Sequence, residues 1–206
     1  MYNNIIADIG SILVNLINIY EICNIIIYKD IVRKIKKGGS NMYKALTIAQ
    51  WFILKTNAER KALESEEFGA YEGITHLKLQ KLLYYAQGIC LALLGRPLFE
   101  EPILAWKHGP VVDEVYQEFK SYGSNPIEIE LSESDEEEIN KLDANSLNIL
   151  ELTYDNFAIY TAWQLRNMTH EDGTPWDITV MNDGINSEIS LDSIKTYFEE
   201  NVIDNG

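Results

Sequence analysis

Two short segments of this chain carry residue types that commonly bind other molecules. They are Trp106-Lys107-His108-Gly109-Pro110, and Thr169-His170 followed by Pro175-Trp176. Lysine and histidine supply positive charge and hydrogen-bond donors, and the indoles supply apolar contact area. Together with the unpaired N–H groups of a following helix, the first segment can bind a carboxylate, a peptide backbone or a phosphate. We therefore predict that these nine residues form or support a partner-binding surface.

The same residues also fit a structural interpretation. Trp106 would then fill the core and His108 would cap a turn, because large aromatic side chains are usually mostly buried. His170 and Trp176 would hold the second loop against the core. We expect His170 near a helix C-terminus, where its protonated form would be stabilised by the helix dipole. The sequence leaves the binding and the structural interpretation open.

Catalysis is the less favoured alternative. His76, His108 and His170 could gather around a metal, or Cys90 could pair with a histidine. However, the histidines lack the close paired spacing of common metal sites, and Cys90 lies on the apolar stripe of a helix, where an inert buried thiol is expected. We predict no enzyme activity, no metal and no cofactor.

The elements that must position these segments are mainly helical. The apolar spacing predicts helices over residues 45–56, 75–94, 110–123 and 146–157, after a Thr161/Gln164 capping box, and after Ser190. Residues 58–73 have the composition of a connector, Ile127 to Leu131 alternate like a short edge strand, and residues 132–138 form an acidic turn or helix start. The predicted fold is a mainly α, compact single-domain bundle of about five to seven helices, with a short edge strand or hairpin.

We expect this domain to cover residues 42–206. Lys37-Gly38-Gly39 precedes Met42 and can be encoded by a ribosome-binding sequence, so residues 1–41 are interpreted as a mistranslated leader outside the fold. The rival interpretation makes Ile5 to Tyr28 a membrane anchor. Asp8 and Glu21 interrupt that apolar run, which argues against it.

The charge of the chain restricts its partners. The full chain carries a net charge of −15, and residues 42–206, with 12 Lys or Arg against 29 Asp or Glu, carry −17. Such a domain repels phosphate backbones and attracts basic proteins.

Beyond residue 41 only Cys90 remains, so no internal disulfide can form. We expect a bacterial cytoplasmic protein that binds neither nucleic acid nor membrane.

The chain resembles the Panacea family of antitoxins, also called SocA-like and common in bacteria and prophages. The resemblance rests on residues 79–88 (LQKLLYYAQG), 97–99 (PLF), 105–112 (AWKHGPVV), Val115-Tyr116, and Thr169-His170 with Pro175-Trp176. It spans roughly residues 42–198, and the family's Ala-rich first helix matches the chain from Met42 onward. The Gly173-Thr174 spacing before Pro175 departs from the family pattern.

The resemblance implies a helical antitoxin of a type II-like toxin–antitoxin system. Such a protein neutralises a cognate toxin by direct contact, and presentation of the toxin to a cytoplasmic protease is a second route. The acidic surface suggests a basic toxin. The alternative is a prophage-encoded structural or host-interaction protein that has no toxin partner.

Overall fold

The computed structural model describes residues 41–64 and 73–203. The expected leader, apart from Asn41, and the rival anchor over residues 5–28 lie outside the described residues. Within the described ranges, none of the helices combines the length and the apolar character needed to cross a bilayer.

Eight α-helices and one β-hairpin account for most of the described ranges. They are α1 (Ala45–Glu64), α2 (His76–Leu94), β1 (Leu104–Trp106), β2 (Gly109–Val111), α3 (Asp113–Phe119), α4 (Glu133–Asn140), α5 (Ala144–Phe157), α6 (Ala162–Thr169), α7 (Pro175–Asp183) and α8 (Leu191–Phe198). A 3₁₀ turn (Lys120–Tyr122) follows α3, and a π-helical turn (Glu199–Ile203) follows α8. The mainly helical prediction is confirmed. Residues 41–64 and 73–203 contain eight helices rather than five to seven, because the acidic segment and the residues from Pro175 onward each form a helix.

Helix α2 lies at the centre of the core. Every residue from Leu79 to Leu91 is buried, because α1, α5, α6, α8 and strand β2 all pack against this helix. A helix surrounded in this way is expected to be apolar on all sides. Three polar residues, Gln80, Lys81 and Gln87, are nevertheless buried in it. They hydrogen-bond to the backbone of neighbouring loops, so α2 positions those loops as well as filling the core.

Several predicted helix ends are confirmed. The Thr75 side chain accepts a hydrogen bond from the Lys78 amide, and Gly95 ends α2 in the left-handed conformation. Thr161 and Gln164 form the predicted capping box of α6. The Ser190 side chain caps α8 by accepting from the amide of Ser193.

The prediction of a helix beginning at Pro110 is wrong. Pro110 lies in β2, opposite Ala105 in β1, and the helix begins at Asp113. The N–H of Ala105 donates to the Ser187 carbonyl and its carbonyl accepts from the Asn186 amide, each at 2.8 Å. Ala105 therefore makes its backbone hydrogen bonds on the far side of β1, and a proline without an N–H is tolerated opposite it.

Two further boundaries differ from the prediction. Helix α1 continues to Glu64, so residues 58–64 are not a connector; the stretch is rich in Ala, Arg, Lys and Glu, which favour helix. The proposed edge strand from Ile127 to Leu131 is wrong, because these residues form no strand. Ile127 is buried and its amide donates to the Ile74 carbonyl at 2.9 Å. The alternating pattern reflects this burial of single side chains rather than a ladder of paired backbone groups.

Candidate functional site

Lys107 and His108 form the exposed tip of the β-hairpin, and the glycine after them allows the turn. Both side chains are exposed, and Trp106 pairs with Gly109 across the turn. Gly109 has a φ of +100°, a conformation that L side chains rarely adopt. A Cβ atom there would lie 2.7 Å from Lys81 Nζ and 2.9 Å from Thr169 Oγ1. The conformation and the packing therefore both require glycine at this position.

Two polar residues of α2 hold the hairpin from beneath. The Gln80 side-chain oxygen accepts from the Val112 amide at 2.8 Å, and its amide nitrogen donates to the Val112 carbonyl at 3.3 Å. Lys81 Nζ donates to the Pro110 carbonyl at 2.8 Å. Sequence reasoning missed both positioning roles, although a polar pair inside an apolar helical run was the available signal.

Lys81 is fully buried, and its environment opposes its positive charge. Burial lowers the pKa of its ammonium group to about 7, and the nearby Arg166 charge acts in the same direction. None of the ion pairs among the described residues joins Lys81 to a carboxylate. The hairpin is thus attached to the core by a lysine that titrates near neutral pH.

Two threonines give the second loop its shape. Thr174 is the N-cap of α7, with Pro175 in the first turn, and its side chain accepts from the Asp177 amide. The Thr174 hydroxyl also donates to the Thr169 carbonyl at 2.9 Å, which links the start of α7 to the end of α6. The Thr169 hydroxyl donates to the Arg166 carbonyl at 2.8 Å. The threonines thus satisfy backbone groups that the turn leaves unpaired.

The two predicted segments lie against each other. The indole Nε1 of Trp176 donates to the Trp106 carbonyl at 2.8 Å. The His170 ring packs on the Trp176 ring with centroids 3.7 Å apart, and its Nε2 lies 3.3 Å from the Lys107 carbonyl oxygen. The hairpin tip and the α6–α7 loop therefore form one continuous surface, which we call the two-loop face: residues 106–110, 169–170 and 175–176.

The expectation that protonated His170 is stabilised by the helix end is wrong. His170 is the C-cap residue of α6, as expected. However, burial against its neighbours lowers the pKa of its imidazole, and this outweighs the hydrogen bonds to the Lys107 and Arg166 carbonyls that would raise it. The ring therefore stays neutral at physiological pH and acts as a packing group between the loops.

The nine predicted residues differ in how much of each remains accessible. Lys107 and His108 are exposed, whereas Trp106, His170 and Trp176 are half-buried. The remaining four are buried: Gly109, Pro110, Thr169 and Pro175. These four shape and support the two-loop face, and the exposed tip with the half-buried rings is what another molecule can touch.

Trp106 forms part of a groove beside the hairpin. Its ring meets Tyr116 edge to face at 4.8 Å, and Tyr116 in turn meets His76 at 4.6 Å. These rings line a cavity of about 430 Å³ that opens beside the hairpin tip. Trp163, 61% exposed, lines the same cavity, and its ring lies 6.5 Å from that of His108. Sequence reasoning missed Trp163, whose signal was an indole on the second residue of a short polar helix.

The remaining candidate groups for catalysis have other roles. Cys90 is fully buried, and burial raises the pKa of its thiol to about 12, so the reactive thiolate does not form near neutral pH. Over residues 41–64 and 73–203, no three His, Cys, Asp or Glu side chains are grouped so that they could hold a metal ion. His76 and His108 line the groove, while His170 lies in the interloop contact.

In comparison with known proteins, the segment that contains both loops is similar to one family. Residues 79–177 match the family described as "Antitoxin SocA-like, Panacea domain". Over 131 residues the chain is 32% identical to Antitoxin SocA of Caulobacter vibrioides (strain NA1000 / CB15N). This alignment covers 57% of the chain and 66% of the relative, just under two thirds of the relative's length. No solved structure matches the chain.

Proposed function

We propose, from the match of residues 79–177 to the SocA-like Panacea domain and the similarity to Antitoxin SocA, that this chain is an antitoxin that neutralises a co-encoded toxin by direct protein contact. The observation that carries the proposal is the hydrogen bond between Trp176 Nε1 and the Trp106 carbonyl. This bond joins two loops distant in sequence into one face. Binding surfaces on rigid scaffolds are commonly built from loops that are held in this way.

The composition of the face suits protein contact. It combines half-buried indoles with exposed Lys107 and His108, and aromatic side chains surrounded by polar groups are typical of interface hot spots. Elsewhere the surface is strongly acidic; α4 alone exposes Glu133, Glu136, Glu137 and Glu138. That charge would accelerate encounter with a basic toxin, while the two-loop face would supply the specific contacts.

The test starts with the reading frames that neighbour this gene. A neighbouring frame should arrest growth when it is expressed alone, and co-expression of this chain should restore growth. The two proteins should also co-purify. If none of the neighbours is toxic, or if a toxic one is not suppressed, the proposed antitoxin function is wrong.

Charge-reversing variants test the role of the hairpin tip. Lys107→Glu combined with His108→Glu should abolish rescue and co-purification while the circular dichroism spectrum is retained. Lys141→Glu is the matched control, because Lys141 is also exposed but lies outside the two-loop face. Equal rescue by the tip variant and the control would show that the tip does not contact the toxin.

We also propose that this protein acts in the bacterial cytoplasm, either by steric capping or by presenting the toxin to a protease. The two routes differ in the lifetime of the toxin. Presentation predicts that co-expression shortens the half-life of the toxin and that deletion of the protease removes rescue. Capping predicts an unchanged or longer half-life.

A further inference from the structure

The groove beside the hairpin differs in charge from the rest of the chain. The chain has 32 Asp or Glu against 17 Lys or Arg. Yet among the described residues that line the groove there are two lysines, Lys107 and Lys120, and two histidines, but no carboxylate. Acidic residues are in almost twofold excess over the whole chain, so a lining that carries lysines and no carboxylate differs from the chain's overall charge. An acidic toxin segment would be attracted to it.

A neighbouring concavity extends the same region. It has a volume of about 580 Å³ and shares Leu77, Gly123 and Trp163 with the groove, so the two concavities adjoin at these residues. Its lining also lacks a carboxylate among the described residues and includes Lys78. Together they form what we call the Trp163 channel: the concavities on either side of that indole.

Two helix N-termini contribute to the wall of the channel. His76 and Leu77 belong to the first turn of α2, and Ala162 and Trp163 belong to the first turn of α6. Neither first turn contains an acidic residue, whereas those of α3, α4, α7 and α8 do. Both N-termini are capped by neutral threonine side chains, Thr75 and Thr161. Because no acidic residue in either first turn offsets the positive end of the helix dipole, the two helix ends add to the attraction that the lysines exert on an anion.

The walls are aromatic and the charges lie at the rim. Trp106, Tyr116 and His76 pack edge to face in sequence along one wall. Burial lowers the pKa of the His76 imidazole, so that ring is neutral and behaves as part of the apolar wall. The exposed side chains of Lys107 and Lys120 supply the charge. An occupant must therefore combine an apolar side chain with nearby carboxylates.

We propose that the Trp163 channel binds an extended acidic segment of the toxin. An aromatic or large aliphatic side chain of the segment occupies the 430 Å³ cavity between Trp106 and Trp163, and its carboxylates lie over Lys107 and Lys120. The volume suits one or two side chains rather than a folded element. This inference rests on the proposed antitoxin function and adds to it: a toxin that is basic overall presents an acidic segment to this channel.

The inference can be tested before the toxin is known. A random heptapeptide display library is selected against the purified full chain, and the recovered peptides are titrated with a fluorescein label. The expected peptides combine Asp or Glu with an aromatic or large aliphatic residue, and their affinity should fall as salt is raised. Recovery of basic or charge-free peptides would overturn the inference.

Variants separate the channel from the rest of the surface. The double variant Lys107→Glu/Lys120→Glu should lower the affinity for the acidic peptides by about tenfold, which is the effect expected for reversing two exposed charges. Trp163→Ala should lower the peptide affinity at least as much, because an exposed indole in a binding site is a typical hot spot. Lys141→Glu and Trp51→Phe, which change residues outside the channel, should leave the affinity unchanged. Equal binding by the channel variants and these controls would contradict the inference.

Growth-rescue experiments with the toxin distinguish failure of the inference from failure of the proposed function. If the wild-type chain rescues growth and Trp163→Ala does not, while remaining folded, the channel is supported. If Trp163→Ala loses peptide binding but still rescues growth, the channel is not the toxin site, although the antitoxin function stands. If the wild-type chain rescues growth from none of the neighbouring frames, the proposed function itself is wrong.

Discussion

The indole Nε1 of Trp176 lies 2.8 Å from the carbonyl oxygen of Trp106, although the two residues are 70 positions apart in the sequence. This hydrogen bond fixes the α6–α7 loop to the hairpin, and the tilted packing of the His170 ring on Trp176 fills the space beside it. The donor is a half-buried indole and the acceptor is a strand carbonyl, so its loss leaves a polar atom unpaired.

Replacing Trp176 with phenylalanine should therefore loosen the two-loop face. Trp176→Phe keeps an aromatic ring for His170 but removes the N–H donor, and we expect the free energy of unfolding to fall by about 1–2 kcal/mol. Toxin binding should weaken as well. Urea denaturation and a binding titration measure the two effects. Trp51→Phe, in α1, is the control: it should affect stability alone, and an equal loss of binding in both variants would contradict the assignment.

Lys81 gives stability a pH dependence around neutrality. Its folded pKa of about 7 lies below the ordinary value of 10.5, so between these values the unfolded chain binds more protons than the folded chain. Stability should therefore rise as the pH increases from 7 to 8.5, by at most about 1.4 kcal/mol per pH unit. Lys81→Met should remove this increment. Urea denaturation at three pH values measures it, and parallel pH profiles for the two proteins would refute the role of Lys81.

Gly109 should not tolerate a side chain. Gly109→Ala combines an unfavourable positive φ with a Cβ 2.7 Å from Lys81 Nζ. We expect the free energy of unfolding to fall by about 2–4 kcal/mol. Gly95→Ala is the control, because Gly95 also has a positive φ but has open space around it. Gly95→Ala should lower the free energy of unfolding only by the strain of the positive φ, about 1–2 kcal/mol. Thermal or urea unfolding of both variants gives the difference, and equal losses would show that the close packing beneath the hairpin has no energetic weight.

Gly88 allows α2 and α8 to approach closely. A Cβ atom there would lie 2.4 Å from the ring of Phe198, which is fully buried. Gly88→Ala should destabilise the protein by up to about 2 kcal/mol, because overpacking outweighs the better helix propensity of alanine. Phe198→Leu should partly relieve the clash, so the double variant should lose less than the sum of the two single losses. If the two losses of unfolding free energy are strictly additive in the double variant, the Phe198 ring is not what excludes alanine at position 88.

The elements predicted correctly are those with local chemical signals. Thr75, the Thr161/Gln164 pair and Ser190 each cap a helix through their own side chains, so their positions follow from the sequence alone. The sequence predicts a helix from Pro110 because proline is common in a first helical turn. Its position in a strand depends on Ala105 bonding to residues 186–187, a long-range contact that no local pattern encodes.

The residue types in the sequence identify the candidate site but not the residues that support it. The two tryptophan loops stand out because Trp, His and Pro cluster at turns. The contact between the loops depends on how α6 and the hairpin pack on α2, which no local pattern encodes. Gln80 and Lys81 lie in a mainly apolar helical segment, and their role follows from their contacts with the Val112 amide and the Pro110 carbonyl, which lie about 30 residues further along the chain. Trp163 was missed because it lies on the surface.

The most direct test of the central claim is amide hydrogen exchange on the full chain, alone and in complex with the toxin whose growth arrest it relieves. If the two-loop face is the binding surface, exchange should slow in peptides covering residues 106–109 and 170–177, and in those covering residues 162–164 if the Trp163 channel is occupied. Unchanged exchange at residues 106–109 and 170–177 in a saturated complex, with protection elsewhere on the molecule, would contradict the account.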